Sequence, residues 1–270
     1  MPRLPKLPAP PLPAALRPPP PRPGEGNGEG GPLEDAKEAG ISVVDWVDER
    51  TSLSGAGRWL LFRKVPKGTN WFYTLGSATL FAFLSQAVTG VFLAMYYRPD
   101  PAGGAYESIR HVTNEVFLGQ FVRGMHKWGS SVMVILIFLH MGRVFFFGAY
   151  KYPRELNWVI GVVLLILTMV MSFTGYLLPF DQRAYWATIV GVNINGTGPL
   201  IGPYLSDFLR GGGEFGATTL SRFYAIHMLL IPGLLVALIG AHLYLVTKLG
   251  TTAPPWQKAK ERPELLEAEV

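Results

Sequence analysis

RGMHKWGSSVMVILIFLH, Arg123 to His140, places two histidines fourteen residues apart in a run with no charge after Lys127. In a helix that interval is about 21 Å long, and fourteen steps return to within about 40° of the starting face. Two imidazoles so placed lie on one side of a helix, one near each surface of a membrane. About twenty apolar residues span a bilayer core, and the chain offers four such stretches. Gly68 to Tyr97, Leu156 to Phe180 and Phe223 to Thr247 contain no Asp, Glu, Lys or Arg, while Trp128 to Gly142 continues past Arg143 to Tyr150. The 270 residues are 49% hydrophobic and only 16% charged, a balance typical of membrane proteins rather than soluble domains. The sequence therefore predicts an all-α membrane protein, a four-transmembrane-helix bundle. Helix A covers about 71–97, B about 118–147, C about 157–178 and D about 223–249.

The formal charge of +5 is informative by position. With a cytoplasmic N-terminus, the inner flanks carry twelve Lys and Arg and the longer outer loops seven, in keeping with the positive-inside rule. Both termini are then cytoplasmic, and nucleic-acid binding is a poor reading of this charge. With no cysteine, the chain has no thiolate-ligated iron–sulfur cluster, disulfide or thioether-attached haem of its own. Twelve prolines fall in the first 32 residues, followed by GEGNGEGG nearby, so residues 1–40 read as a disordered Pro/Gly-rich tail. Residues 41–67 mix apolar and charged positions and read as an amphipathic segment lying on the membrane surface. The four-helix domain takes residues 68–250, and 251–270 form a polar cytoplasmic tail. The start of the 179–222 connection, PFDQRAYWATIVG, reads as a short amphipathic surface helix.

Four of the five histidines fall in the spans. His126 and His140 lie on B; His227 and His242, fifteen apart, lie on D. B and D are separated by one span and run the same way, so first pairs with first and second with second. A lone membrane histidine commonly just bonds a neighbouring helix; two matched pairs point to two bis-histidine metal centres stacked across the bilayer. Glycine separates haem from a bare ion. Gly76 and Gly90 on A, and Gly161 and Gly175 on C, are also fourteen apart. A and C run antiparallel to B and D, which sets Gly90 and Gly175 level with His126 and His227, and Gly76 and Gly161 level with His140 and His242. Such glycines allow close approach to a flat porphyrin edge. Arg123 and Arg143 each lie three residues outside the histidine interval. One reading pairs them with haem propionates, the other has them snorkel at the interface.

At this point the sequence resembles the N-terminal four-helix part of cytochrome b from bc-type quinol-oxidising complexes, closest to the cytochrome b6 branch, over about residues 41–254. QAVTG (86–90), RGMHKWGSS, KYPRELNW (151–158), TGYLLPFDQRAYWA (174–187) and TLSRFYAIH (219–227) carry the resemblance, as does the interval between the histidines of helix D. The resemblance implies two non-covalent b-type haems, the outer held by His126 and His227 and the inner by His140 and His242. It implies electron transfer from quinol oxidised at the outer face to quinone at the inner face, coupled to proton translocation. Implied partners are a Rieske iron–sulfur protein, a c-type cytochrome, a separate subunit with the C-terminal cytochrome b helices, and membrane lipid, in a dimeric complex of the bacterial plasma membrane. The family's Pro-Glu-Trp segment is absent here, which is why a separate subunit is implied. Tyr185, Trp186 and Ile189 are candidates for the quinol pocket or for interfacial anchors. Thr74 stands where the b6 branch tethers an extra haem through cysteine, so no covalent c-type haem is expected. Thr247 stands where that branch has a basic residue near the inner quinone. His111 matches no ligand position and reads as a surface histidine.

Two other readings remain at this stage. A di-haem membrane anchor of another quinone-linked dehydrogenase or reductase shares the bis-histidine pairs, though TGYLLPFDQRAYWA and PRELNW argue against it. A histidine-based transporter predicts carboxylates within the spans, and helices A, C and D have none.

Overall fold

The structure, a computed structural model, describes residues 43, 45–50 and 66–256. The expected 1–40 tail, most of the 41–67 segment and residues 257–270 lie outside the described residues. Within 45–50 the chain is helical, with the Arg50 guanidinium 4.0 Å over the Trp46 ring.

The four apolar stretches fold as four long helices. A 3-10 turn, Trp71–Thr74, leads into α1 (Leu75–Ala94). After α2 (Gly104–Asn114) come α3 (Gly119–Phe146) and α4 (Glu155–Leu177). The connection beyond α4 contains α5 (Gln182–Gly196) and α6 (Gly202–Arg210). The last span is composite: α7 (Ala217–Ala225), a π turn Ile226–Leu230, and α8 (Ile231–Leu249). The spans cover 24, 28, 23 and 33 residues with mean hydropathies of 1.6, 1.7, 2.3 and 2.3, each long enough to cross a bilayer. The chain is thus all-helical with four candidate membrane spans. Their large side chains face outward: Phe81 is 75% exposed, Val88 73% and Phe146 80%. In water such surface would aggregate; in lipid it is at home.

The edges differ from expectation in informative ways. Helix A stops at Ala94 rather than Tyr97 because the next turn tightens, Tyr96 N donating to Leu93 O. Helix D begins at Ala217, six residues before Phe223, because Thr219 and Leu220 are buried and extend the helix beyond its uncharged run. The expected loop after helix A holds α2, whose Ala105, Ser108 and Val112 are buried at helical spacing. Charged residues on its other face hid this helix from a reading for membrane spans.

α1 packs along α3 and α4 along α8, and α3 touches α4 between the two pairs. The tightest packing lies at one end, where Ala105, Leu177, Val192, Leu209, Leu220 and Phe223 form a common cluster. There α2, α5 and α6 cap the bundle. Tyr97 Oη donates to Leu178 O at 2.6 Å, and Thr219 Oγ1 donates to Arg210 O at 2.6 Å. At the opposite end, Trp256 Nε1 donates to Gly68 O at 3.2 Å, joining the segment after α8 to the approach to α1.

Candidate functional site: two histidine pairs along the bundle interior

His126, about a quarter of the way along α3, and His227, in the π turn, face each other with ring centroids 6.4 Å apart and planes at 77°. Both rings are tied at Nδ1. His227 Nδ1 donates to Met171 O at 3.0 Å and lies 3.3 Å from Thr174 Oγ1. His126 Nδ1 lies 2.9 Å from Thr89 Oγ1. Each threonine hydroxyl donates back along its own helix, to Ser85 O at 2.7 Å and Val170 O at 2.9 Å, so it accepts from the imidazole. With the proton on Nδ1, Nε2 keeps its lone pair.

The four glycines lie where the interval analysis sets them. A Cβ built on Gly90 would sit 3.2 Å from His126 Cε1, and one on Gly175 2.5 Å from His227 Cε1. On Gly76 it would meet His140 Cε1 at 3.1 Å, and on Gly161 His242 Cε1 at 3.6 Å. Each imidazole thus lies in a groove that a side chain would fill. The first three distances are closer than a methyl group tolerates; the fourth is an ordinary contact.

His140 and His242 line a cavity of about 300 Å³ at the other end of the bundle. Tyr73 Oη, Arg143 Nε and Nη2, Arg154 Nε, Asn157 Oδ1, His242 Nδ1 and Thr252 Oγ1 are buried here without a hydrogen-bond partner among the described residues. Each such atom costs about 1–3 kcal/mol if left so. Two guanidinium groups face this space and no carboxylate of the described residues lines it. Arg143 stacks on the Tyr73 ring at 3.8 Å and Arg154 Nη2 donates to Leu249 O at 3.0 Å, which holds both in place. The lining is apolar along its length, with the two guanidinium groups among its polar residues.

Other candidates fall elsewhere. Arg123 donates from Nη1 to Thr113 Oγ1 at 3.2 Å, tying α3 to α2. Asp181 caps α5, its Oδ1 accepting from Ala184 N at 2.8 Å. Tyr185 sits between Phe180 and Phe215, with centroids at 5.8 and 6.3 Å, while Trp186 points outward and donates to Gln182 Oε1 at 2.9 Å. A shallow opening bounded by Tyr106, Phe180, Asp181, Gln182 and Arg183 lies beside them; Tyr185, Trp186 and Ile189 do not line it. His111 is exposed and ion-paired with Glu115 at 2.9 Å.

Sequence reasoning passed over Thr89, Thr174, Tyr73, Arg154, Asn157 and Thr252. For the threonines a signal exists: each directly precedes a site glycine, as Thr-Gly at 89–90 and again at 174–175. The polar groups around the cavity carry no such signal, since they come from three separate spans and the segment after the last. The π turn was also missed. Pro232, in the first turn of α8, has no N–H to give the Met228 carbonyl four residues back. The ladder accommodates this with an i→i+5 bond, Ile231 N to Ile226 O.

Residues 61–250 match the family described as Cytochrome b/b6/petB. The chain is similar to the menaquinol:cytochrome c reductase cytochrome b subunit of Geobacillus thermodenitrificans, with 44% identity over 220 residues, 78% of this chain and 98% of that protein. It is similar to cytochrome b6 of Heliobacterium modesticaldum, with 43% identity over 215 residues, 78% of this chain and 100% of that protein. A solved chain of a hyperthermophilic respiratory complex III superposes with a TM-score of 0.72 at 31% identity, covering 82% of this chain; the match spans 59% of that chain.

Proposed function

The chain belongs to the cytochrome b/b6 family as the cytochrome b subunit of a bc-type quinol:cytochrome reductase, and on that premise we propose that His126 with His227, and His140 with His242, each hold one b haem. The observation that carries this is the 6.4 Å between the first pair of ring centroids. At that separation one metal ion could be held between the two rings, with His126 and His227 supplying the nitrogens and the haem the one-electron chemistry. Among the described residues no cluster of three or more His, Cys, Asp or Glu is placed to hold an ion, so two-ligand sites fit these histidines better than a bare-metal centre. When bound, the haems supply one-electron carriage between quinol at one membrane face and quinone at the other.

The chain's own residues prepare these sites. Met171 O, Thr174 and Thr89 fix the proton of each imidazole of the first pair on Nδ1 and aim Nε2 inward. Gly76, Gly90, Gly161 and Gly175 keep the edges of the porphyrin planes clear. Arg143 and Arg154 offer donors to propionate carboxylates at the 140/242 end, and Arg123 takes that part at the other end as far as its bond to Thr113 allows. The apolar outer faces seal the path from water. The 126/227 end is the outer face, both termini are cytoplasmic, and the membrane is a bacterial plasma membrane; the positive-inside count supports this orientation. As part of a multisubunit cytochrome bc complex, the chain works with a Rieske protein, a c-type cytochrome and a subunit carrying the remaining cytochrome b helices. The part of α5 that carries half-buried Tyr185 and Ile189 and exposed Trp186 borders the outer quinol pocket. Menaquinol, named for the Geobacillus relative, is the first substrate to test.

The test is a dithionite-reduced minus oxidised spectrum with a pyridine haemochrome assay on the detergent-purified complex. Two acid-extractable b haems per chain are expected, one lost in His126→Ala and the other in His140→Ala. A folded chain without haem, or one that keeps both haems in either variant, overturns the assignment.

A further inference from the structure

We propose that the hydroxyls of Thr89 and Thr174, which meet the Nδ1 atoms of His126 and His227, are positioning groups that lower the redox potential at this pair. The inference rests on the bis-histidine reading above. It starts from a difference between the two ends of the bundle. Thr89 is 6% exposed and Thr174 1% exposed, so both hydroxyls act in a dry setting. Each spends its own proton on a carbonyl four residues back, and so presents only lone pairs to the imidazole. At 2.9 Å Thr89 is a full acceptor for His126 Nδ1–H. At 3.3 Å Thr174 is a weaker second acceptor beside Met171 O. At the other end the glycines follow Leu75 and Ile160, not threonine, and the His242 ring faces the backbone of Asn157 rather than a hydroxyl.

An acceptor on Nδ1–H moves electron density into the ring and makes Nε2 a stronger donor. A stronger axial donor favours the ferric over the ferrous state, and ligand hydrogen bonding is one of the means by which a protein tunes such a centre. The guanidinium of Arg143 beside the other cavity acts in the opposite direction, since a fixed positive charge favours the state that has gained an electron. Both differences slope the electron path from the 126/227 pair toward the 140/242 pair. Of the two threonines, Thr89 has the greater effect, because its hydroxyl lies 2.9 Å from the imidazole nitrogen and that of Thr174 3.3 Å.

The experiment is a redox titration of the intact purified complex, followed optically and by low-spin ferric EPR, in Thr89→Val, Thr89→Ser and Thr174→Val. His126→Ala first identifies which transition belongs to this pair; if it removes neither, the ligation reading fails rather than the threonine inference. In Thr89→Val that transition should move to higher potential with an altered EPR g-value, while the other transition stays in place. Thr89→Ser should restore the original values, and Thr174→Val should give a smaller shift of the same sign. If Thr89→Val loses this haem while Thr89→Ser keeps it at the original potential, the hydroxyl is again what matters. A Thr89→Val transition at the unchanged potential overturns the inference, and so does loss of the haem in both Thr89 variants.

Discussion

Gly175 and Gly161 lie about four helical turns apart on α4, and the space above them differs enough to separate their variants. A methyl on Gly175 would sit 2.5 Å from Cε1 of buried His227 and 3.0 Å from its Nδ1, whereas on Gly161 it would lie 3.6 Å from His242. Gly175→Ala is therefore expected to lose most of one haem, and Gly161→Ala to keep both; the haem-to-protein ratio by pyridine haemochrome checks this. Gly76→Ala and Gly90→Ala, at 3.1 and 3.2 Å, should fall between. His111→Ala should leave the ratio unchanged, because that ring is at the surface with Glu115. At this scale the sequence was legible for which glycine lies beside which histidine, because a fixed interval on antiparallel helices fixes level and face. The hydrogen-bond partners of the histidines were not, since a threonine hydroxyl or a helix carbonyl reaches an imidazole only once two helices have settled on a separation.

For the elements, the π turn resolves a mismatch of spacing. Fourteen residues separate the histidines of α3, fifteen those of the last span. The π turn takes up one residue more than an α turn, so fifteen residues containing it advance the helix as fourteen do without it. Deleting Leu229, which is 77% exposed, should convert Ile226–Leu230 to an α turn and keep both haems. Deleting Ile135 from α3, which has no such turn, should rotate His126 against His140 by about 100° and lose one. Optical spectra of the two deletion variants decide this. A second element-scale expectation concerns α5. Asp181→Ala removes its N-cap bond to Ala184 N, worth about 0.5–2 kcal/mol. It should fray the turn that carries Tyr185 and raise the quinol KM more than it lowers haem content.

As a whole molecule, the chain has one apolar exterior and two differently furnished ends. Its lack of cysteine makes orientation directly measurable with single introduced thiols. In intact spheroplasts, a membrane-impermeant maleimide should label Phe117→Cys and Gly213→Cys but reach Lys151→Cys only after lysis. The reverse pattern would invert the assignment of outer and inner quinone sites. The tight cluster at one end, with α2, α5 and α6 folded over it, also leads us to expect that end to resist proteolysis longer than the segment after α8.

What the sequence by itself determined was the number of spans, the all-helical class and the levels at which the four histidines meet the four glycines. Each of these follows from periodicity along a single segment and from the length a bilayer demands. Only the tertiary structure decided the rest. It brought Tyr73, Arg143, Arg154, Asn157 and Thr252 around one cavity and set threonine against imidazole at one end. It also folded charged and glycine-rich connections into α2 and α6. Those choices depend on how separate helices pack, and packing is a property of pairs of surfaces that no single stretch of chain encodes alone.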